Sequence, residues 1–506
     1  MNVQAAVYTN ERGQDRKHTP WPLPAGWTWV ALDDLGNWTG GGTPSKTVAS
    51  FWTDGTIPWV SPKDMKLDVI GTTEDLITKE ALDRSATKLV PAGSVLMVMR
   101  SGILRHSFPV ARTDRPVTLN QDLRALTPIN ALDPNYLARY LARSARAVLD
   151  ACSKDGTTVN SIDAKSLGRF RVPVPPLAEQ HRIVARIDAL FEEIAEGEQA
   201  LDAARKGLET YRRALLKAAV TGELTADWRE TTDVDVSGQD IVRLIEHDLS
   251  LAKRRPAPSG ESAGLLPIPD TWGWSTLGTL ASSVRNGTSS APRATPNDNE
   301  ILRISAVRSM YIDASQIRYL SESQAAASAE ATVQSGDLLF TRYNGSADLV
   351  GVGAIYRGPQ RFYPDKIIRV RLHAALEDGA AFVELAANAG NGRKHIAANI
   401  KTTAGQQGLS GESLKQTPIP VPPPSEAKEI LRRVADGLAA ASDTRHVLDA
   451  EASDVQRLRQ SILRAAFEGR LVPQDPGDEP AGATLARLKA SNTIATPARR
   501  GRRAKS

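Results

Sequence analysis

The 506-residue sequence holds a single cysteine, Cys152. One thiol can neither close an intrachain disulfide nor build a thiolate zinc site, which excludes a secreted cystine scaffold and a cysteine-ligated finger and makes the reducing cytoplasm the expected compartment. Long apolar runs are missing too. No stretch approaches the ~18 consecutive apolar residues of a membrane span, and the first residues, with Glu11, Arg12, Asp15, Arg16 and Lys17, lack a signal core. Nor does one charge dominate the body. The formal net charge is +5, and Arg499, Arg500, Arg502, Arg503 and Lys505 supply five positive charges, leaving the remainder balanced. A polyanion site in the body must therefore come from the arrangement of charge and not from its total. The basic tail reads as a low-complexity solubilising end, with auxiliary nonspecific DNA contact as the alternative.

Catalytic signatures are also lacking. Seven histidines are scattered without metal-ligand spacing, so no metal site is expected. Asp133-Pro134-Asn135-Tyr136 comes nearest to a methyltransferase loop, but it has no second proline and runs into the amphipathic Leu137–Ala142, which marks a helix start. Gly351-Val352-Gly353 has Tyr356 where a dinucleotide fingerprint needs its third glycine, and Gly40-Gly41-Gly42-Thr43-Pro44-Ser45-Lys46 lacks the order of a phosphate loop. No catalytic residue is expected, so catalysis would have to be supplied by partners.

What the sequence does contain, it contains twice. Pro22-Leu23-Pro24-Ala25-Gly26-Trp27-Thr28-Trp29 returns as Pro267-Ile268-Pro269-Asp270-Thr271-Trp272-Gly273-Trp274. Gly93-Ser94-Val95-Leu96, running on to Arg100, returns as Gly336-Asp337-Leu338-Leu339, running on to Arg342. Val172-Pro173-Val174-Pro175-Pro176 returns as Ile419-Pro420-Val421-Pro422-Pro423, and the stretch Arg212–Gly222 as Arg459–Gly469. Four blocks in one order mean two copies of one unit.

Before each proline cluster lie short β-branched and aromatic runs punctuated by turn residues, the pattern of a mixed α/β globule. After it comes a proline-free segment, Leu177–Leu224 and again Ser425–Leu471, with apolar residues at heptad spacing. The expected helix-pair core is Ile183, Ile187, Leu190, Ile194, Leu201, Leu208, Tyr211 and Leu215 from the first helix, and Ile430, Val434, Leu448, Val455, Leu458 and Ile462 from the second. Glu451 and Thr444 weaken the second seam. Pro176 and Pro423 suit helix starts, Glu179 and Glu426 the positive N-terminal dipole, and Gly222 and Gly469 the C-terminal caps. Each helix would be roughly 70 Å long. Two apolar stripes in one chain most simply bury each other, and the chain path favours an antiparallel pair with pseudo-twofold symmetry. Two inverted globules on such a strut match the pseudo-symmetry of duplex DNA.

The residues that carry these features resemble the specificity (S) subunit of type I restriction-modification systems from about residue 20 to 475. They are Leu23, Trp27 and Trp29; Gly42-Thr43-Pro44-Ser45; Ile57–Asp64; Leu119-Asn120-Gln121-Asp122; Pro173–Gln180; and Leu215–Leu224. Ala427 departs from the pattern where the first copy has Gln180, and Asn286-Gly287-Thr288-Ser289 only loosely echoes the Gly-Thr-Pro-Ser stretch.

The resemblance implies an α+β fold with two mixed α/β target-recognition domains separated by two long helices packed as an antiparallel coiled coil. The expected division is an N-terminal extension 1–20, recognition domain 21–170, spacer helix 171–224, linker 225–265, recognition domain 266–417, spacer helix 418–471 and basic tail 472–506. It further implies a noncatalytic subunit that reads a split, asymmetric target in double-stranded DNA. Two modification (methyltransferase) subunits and, in the full complex, restriction (translocase/nuclease) subunits would be its partners, with no membrane involved. S-adenosylmethionine, ATP and Mg would then sit on those partners and no cofactor on this chain. A noncatalytic coiled-coil protein-interaction scaffold is the competing class.

DNA contacts are expected from loop cations and amides, since Arg pairs with guanine, Asn or Gln with adenine, and Lys mostly with phosphate. The candidates are Lys46, Lys63, Lys66, Arg100, Arg105, His106 and Lys154 in the first copy. In the second they are Arg285, Asn286, Arg303, Arg308, Arg342, Tyr343, Asn344, Arg361 and Lys366. The four repeated tryptophans suit core packing better than base stacking. If the helices are the spacer, a whole heptad inserted between Glu196 and Leu201 should lengthen the gap between half-sites, as read by methylation mapping; binding with an unchanged gap would contradict this.

Overall fold

The structure, a computed structural model, describes residues 7–9, 15–17, 21–154, 160–257, 264–376, 378–403 and 406–494. Among these no helix is long and apolar enough to cross a membrane. Two long helices, Leu177–Thr221 and Pro424–Phe467, accompany many short strands. Both stop short of the apolar pattern because Gly222 and Gly469 turn left-handed, at φ 78° and 72°. The chain forms two compact units, Met1–Ala200 with Ala450–Ser506, and Leu201–Asp449. Each holds the start of one long helix and the end of the other.

In the first unit the main sheet runs in the order Gly36–Gly40, Leu123–Pro128, Val95–Val98, Val110–Thr113, Val69–Ile70. A smaller sheet pairs Thr118–Leu119 parallel to Ile57–Val60, with Asp75–Ile77 antiparallel on the other side. The second unit repeats this order with Ala281–Asn286, Ile367–Leu372, Leu338–Thr341 and Gly353–Ile355. It repeats even the parallel pairing, Arg361–Phe362 with Glu300–Leu302, flanked by Ile317–Tyr319. Val95 to Val98 are buried on both strand faces, as expected for a strand covered on both sides. Helices Pro134–Arg143 and Ala145–Cys152 lie in the same core. Asp133 caps the former, accepting from the Asn135 and Tyr136 N–H groups at 2.7 and 3.0 Å.

The duplicated opening and the duplicated proline cluster meet in space. Thr28–Ala31 pairs antiparallel with Arg171–Val174, and Gly273–Thr276 with Pro418–Val421. This registers the Trp27 indole to donate to Glu179 at 3.0 Å and the Trp272 indole to donate to Glu426 at 2.8 Å. Each carboxylate in turn reaches the capped end of the other long helix. Gln474 donates to Glu179 at 3.2 Å and to the Gly469 carbonyl at 2.6 Å. Arg229 plays the same part with Glu426 and, at 2.6 Å, the Gly222 carbonyl. Burial pushes the Glu179 carboxyl above the usual range, against the opposing pull of those hydrogen bonds.

The stretch read as a linker folds onto its unit: Ile241, Val242, Ile245 and Leu249 of helix Gly238–Leu251 are buried in the core. The stretch read as a tail does likewise up to residue 494, with helix Ala481–Ile494 burying Ala481 and Leu485. The Gly238 N–H donates to the Thr271 carbonyl at 2.8 Å, and the Ala481 N–H to the Gly26 carbonyl at 2.9 Å. These two segments are thus a further repeated pair. The basic residues Arg499 to Lys505 lie outside the described residues.

Within each unit the long helices pack antiparallel. In the first, Glu198 meets Arg459 at 2.8 Å, while Ile183 near one helix start shares the core with Ala466 and Phe467 near the other helix end. In the second, Arg205 meets Asp449 at 2.8 Å and Glu209 meets Arg445 at 3.2 Å, while Ala219 and Val220 share the core with Ala427 and Ile430. Ile187, Ile194, Leu215, Val434 and Ile462 are buried; Leu190, Leu201, Leu208, Leu448 and Val455 are half-buried. Two expected core residues are exposed. Leu458 is 50% exposed because the residues turned inward are Val455, Arg459, Ile462 and Ala466, with the Arg459 guanidinium over the Phe191 ring at 5.3 Å. Tyr211 is 47% exposed; Gly437 lets the helices approach so closely that a Cβ there would lie 2.7 Å from Leu215 and 3.1 Å from the Tyr211 hydroxyl. A seam only two helices wide covers one stripe and leaves its flanks in water.

Gln180, fully buried, accepts from the Asp133 N–H at 2.7 Å and donates to the Ala131 and Pro175 carbonyls at 3.0 and 2.9 Å. Ala427 in its place makes none of these bonds and lines a cleft of about 370 Å³ with Ala374, Phe382 and Pro422. Gln180→Ala should therefore destabilise the first unit by about 2 kcal/mol, since it leaves buried backbone groups unpaired. Chemical denaturation checks this; an unchanged midpoint would contradict it.

Candidate nucleic-acid interface

The glycine-rich loop and the Leu-Asn-Gln-Asp motif of the first unit serve each other. A side chain at Gly41 would collide with the Asn120 carbonyl, the Gly42 carbonyl accepts from the Trp59 indole at 3.0 Å, and Thr43 hydrogen-bonds Gln121. Asn120 is buried and accepts from the Asp122 N–H at 2.9 Å. Gly287 occupies the equivalent place against the Tyr363 and Pro364 carbonyls. These motifs shape loops and leave the reading to residues carried on them. Cys152 is similarly structural: burial, with the Asp163 charge adding, pushes its thiol up to about 12.

On this frame stand the exposed cations. Lys46 lies over the Trp52 ring at 5.9 Å, Lys66 and His106 are exposed on turns, and Arg105 is exposed at the end of the short helix Gly102–Arg105. Lys63 faces Glu74 at 3.6 Å, with both side chains exposed. Lys154 and Arg100 are brought to one three-stranded row, Lys154 opposite Ser161 and Ser161 opposite Arg100. Lys154 also pairs with Asp163 at 3.0 Å. In the second unit Asn286, Arg303, Arg308 and Lys366 are exposed, and Arg285 pairs with Glu330. Arg342, Tyr343 and Asn344 sit together, half-buried, with the Arg342 guanidinium 4.8 Å over the Tyr343 ring and the Arg342 N–H donating to the Lys366 carbonyl at 2.8 Å.

Arg361 does not belong with them. Its side chain is 14% exposed, paired with Glu300 at 2.6 Å and bonded to the Ala314 carbonyl at 3.1 Å, so it braces the smaller sheet. Arg100 and Arg342 are not equivalents either. The strand register puts Tyr343, opposite Gly408, in the place of Arg100, opposite Ser161. A one-residue offset along a strand turns a side chain to the other face.

Sequence reasoning missed the hairpin that completes this region: Lys401–Thr403 pairs with Gln406–Gly408, which pairs with Tyr343–Asn344. Its signal was available, a cationic and amide-rich run without an acidic residue just before Leu409. Asn160, beside Ser161, occupies the corresponding place in the first unit, its carbonyl accepting from the Ser101 N–H at 3.2 Å.

A framework built twice, carrying polar and cationic loops that differ between copies, is the construction of a DNA target-recognition protein. A family described as "Type I restriction modification DNA specificity domain" matches residues 24–201. The EcoKI specificity subunit of Escherichia coli (strain K12) is 28% identical over 92% of this chain and 96% of its own length. The EcoR124I/EcoR124II specificity subunit of Escherichia coli is 42% identical over 37% of this chain and 47% of its own length. A solved chain described under "complex assembly and conformational transition of the type I R-M system" superimposes with a TM-score of 0.62, at 17% identity, over 89% of this chain and 100% of its own. Over nearly its whole length the chain is similar to type I restriction-modification specificity subunits. These are the noncatalytic members of their complexes, and catalysis belongs to partner subunits.

The two kinds of cation separate by experiment. Arg361→Ala should lower the stability of the second unit by about 2 kcal/mol by stripping a partner from Glu300. Lys366→Ala should leave stability unchanged and weaken DNA binding uniformly across sequences, reducing the salt slope by about 1. Denaturation curves beside binding isotherms at several salt concentrations would reveal the opposite pattern if this assignment were wrong.

Proposed function

We propose that this chain reads an asymmetric, two-part target in duplex DNA, one half-site per unit, and holds two modification subunits that methylate what it has selected. Restriction subunits join the same assembly. S-adenosylmethionine, ATP and Mg belong to those partners, and the complex works in the cytoplasm. The observation that carries this reading is the contrast between frame and loop. Both units repeat one strand order, whereas the equivalent row reads Lys154, Ser161, Arg100 in the first and Lys401, Gly408, Tyr343 in the second. Two readers with one scaffold and different contact residues select different sequences, because base identity is read by side chains while the frame only positions them. The long helices, whose outer faces are richly charged, supply the dock for the modification subunits.

The test is an exchange of Gly26 to Leu167 for the same region of a relative, followed by selection from random-sequence duplexes with and without the modification subunit. One half-site should change while the other stays. Alteration of both halves would contradict independent readers, and absence of any split consensus in the unaltered chain would favour a protein scaffold.

A further inference from the structure

The hairpin of the second unit forms a three-stranded sheet of its own. Its register sets Thr402, Gln407 and Asn344 directly opposite one another, one residue from each strand. Directly opposed residues share a face of the sheet, so a hydroxyl and two carboxamides stand in one row. The adjacent row, on the other face, is Lys401, Gly408 and Tyr343. Gly408 is required there: a Cβ would lie 2.5 Å from the Tyr343 ring, over which the Arg342 guanidinium lies at 4.8 Å. The two faces thus divide the chemistry, Lys401 and an aromatic on one and amides on the other.

Two polar atoms here, the Gln407 Oε1 and the Arg342 Nε, are shielded from solvent and have no hydrogen-bond partner among the described residues. An acceptor and a donor held in this way cost stability, and a bound partner can satisfy them. Thr402 is exposed and Gln407 and Asn344 are half-buried, with the Asn344 Oδ1 accepting from the Ser346 N–H at 3.3 Å, a long bond that a base edge would replace. A ribbon of strands fits the major groove of duplex DNA, where a carboxamide accepts from the exocyclic amine of adenine and donates to its ring nitrogen. The first unit carries an amide, Asn160, at the same ladder position.

We propose that Gln407 and Asn344 are specificity-determining residues of the second reader, each recognising adenine in the major groove, with Thr402 beside them. This rests on the DNA-reading function proposed above. The full chain, assembled with its modification subunit, would be used to select from random-sequence duplexes alongside Gln407→Ala, Asn344→Ala and Gln407→Glu. Each alanine variant should lose roughly tenfold or more of its preference for adenine at one position of one half-site. Gln407→Glu, which keeps the size and can only accept, should move that preference toward cytosine. An unchanged consensus for the other half-site shows in the same experiment that each variant is folded and assembled. A split consensus from the unaltered chain that all three variants reproduce would overturn the assignment while leaving the function intact. Failure of the unaltered chain to select any sequence would sink the function and this inference together.

Discussion

The structure depends on a buried carboxylate held by an indole. Glu179 and Glu426 stand in the first turn of a long helix, where a negative charge suits the helix dipole. Burial nevertheless penalises that charge, and the Trp27 and Trp272 N–H groups offset the penalty. The same carboxylates reach Gln474 and Arg229, which hold the carbonyls of the capping glycines. One polar node therefore ties the opening strand, the start of one helix and the end of the other within each unit. Apolar packing alone could slide along a heptad seam; a directional hydrogen-bond node fixes its register.

That node explains which features were legible in the sequence. The Trp-x-Trp opening, the proline cluster with its glutamate and the glycine caps are repeated because each is one part of a geometry with no spare parts. The linker and tail were not legible as a pair. Helices Gly238–Leu251 and Ala481–Ile494 pack through a few apolar residues, Ile241 and Ile245 in one and Leu485 in the other, and such contacts tolerate substitution so widely that only Gly222-x-Leu224 and Gly469-x-Leu471 remain in common. Individual site residues were least legible of all. Arg361 looks like any loop arginine until Glu300 is brought beside it, and Arg342 looks equivalent to Arg100 until the register is known.

The frame itself shows how much chemistry can change under a constant architecture. Where Ser94 and Thr127 share a hydroxyl hydrogen bond of 2.8 Å between neighbouring strands of the first unit, the second has Asp337 and Arg371 joined at 2.7 and 2.8 Å. The acid would not be tolerated without its arginine, because Asp337 is 1% exposed and an unpaired buried carboxylate is costly. The copies have therefore diverged in matched pairs inside the core, and without that restriction in the hairpins. Divergence of this kind preserves the position of a loop while freeing its content.

Charge placement follows the same logic. A reader gains little from raw positive charge, because phosphate attraction strengthens binding to every sequence alike. Outside the tail this chain is balanced, and several of its surface cations are answered locally: Lys63 by Glu74, Lys154 by Asp163 and Arg285 by Glu330. Such pairs are weak in water and are broken at little cost when a phosphate competes, yet they lower the background affinity of the unbound surface. Discrimination is then left to groups that a phosphate cannot satisfy. The amides of the second unit's hairpin are of that kind, since an acceptor such as Gln407 Oε1 is answered by a base edge and repelled by a backbone anion.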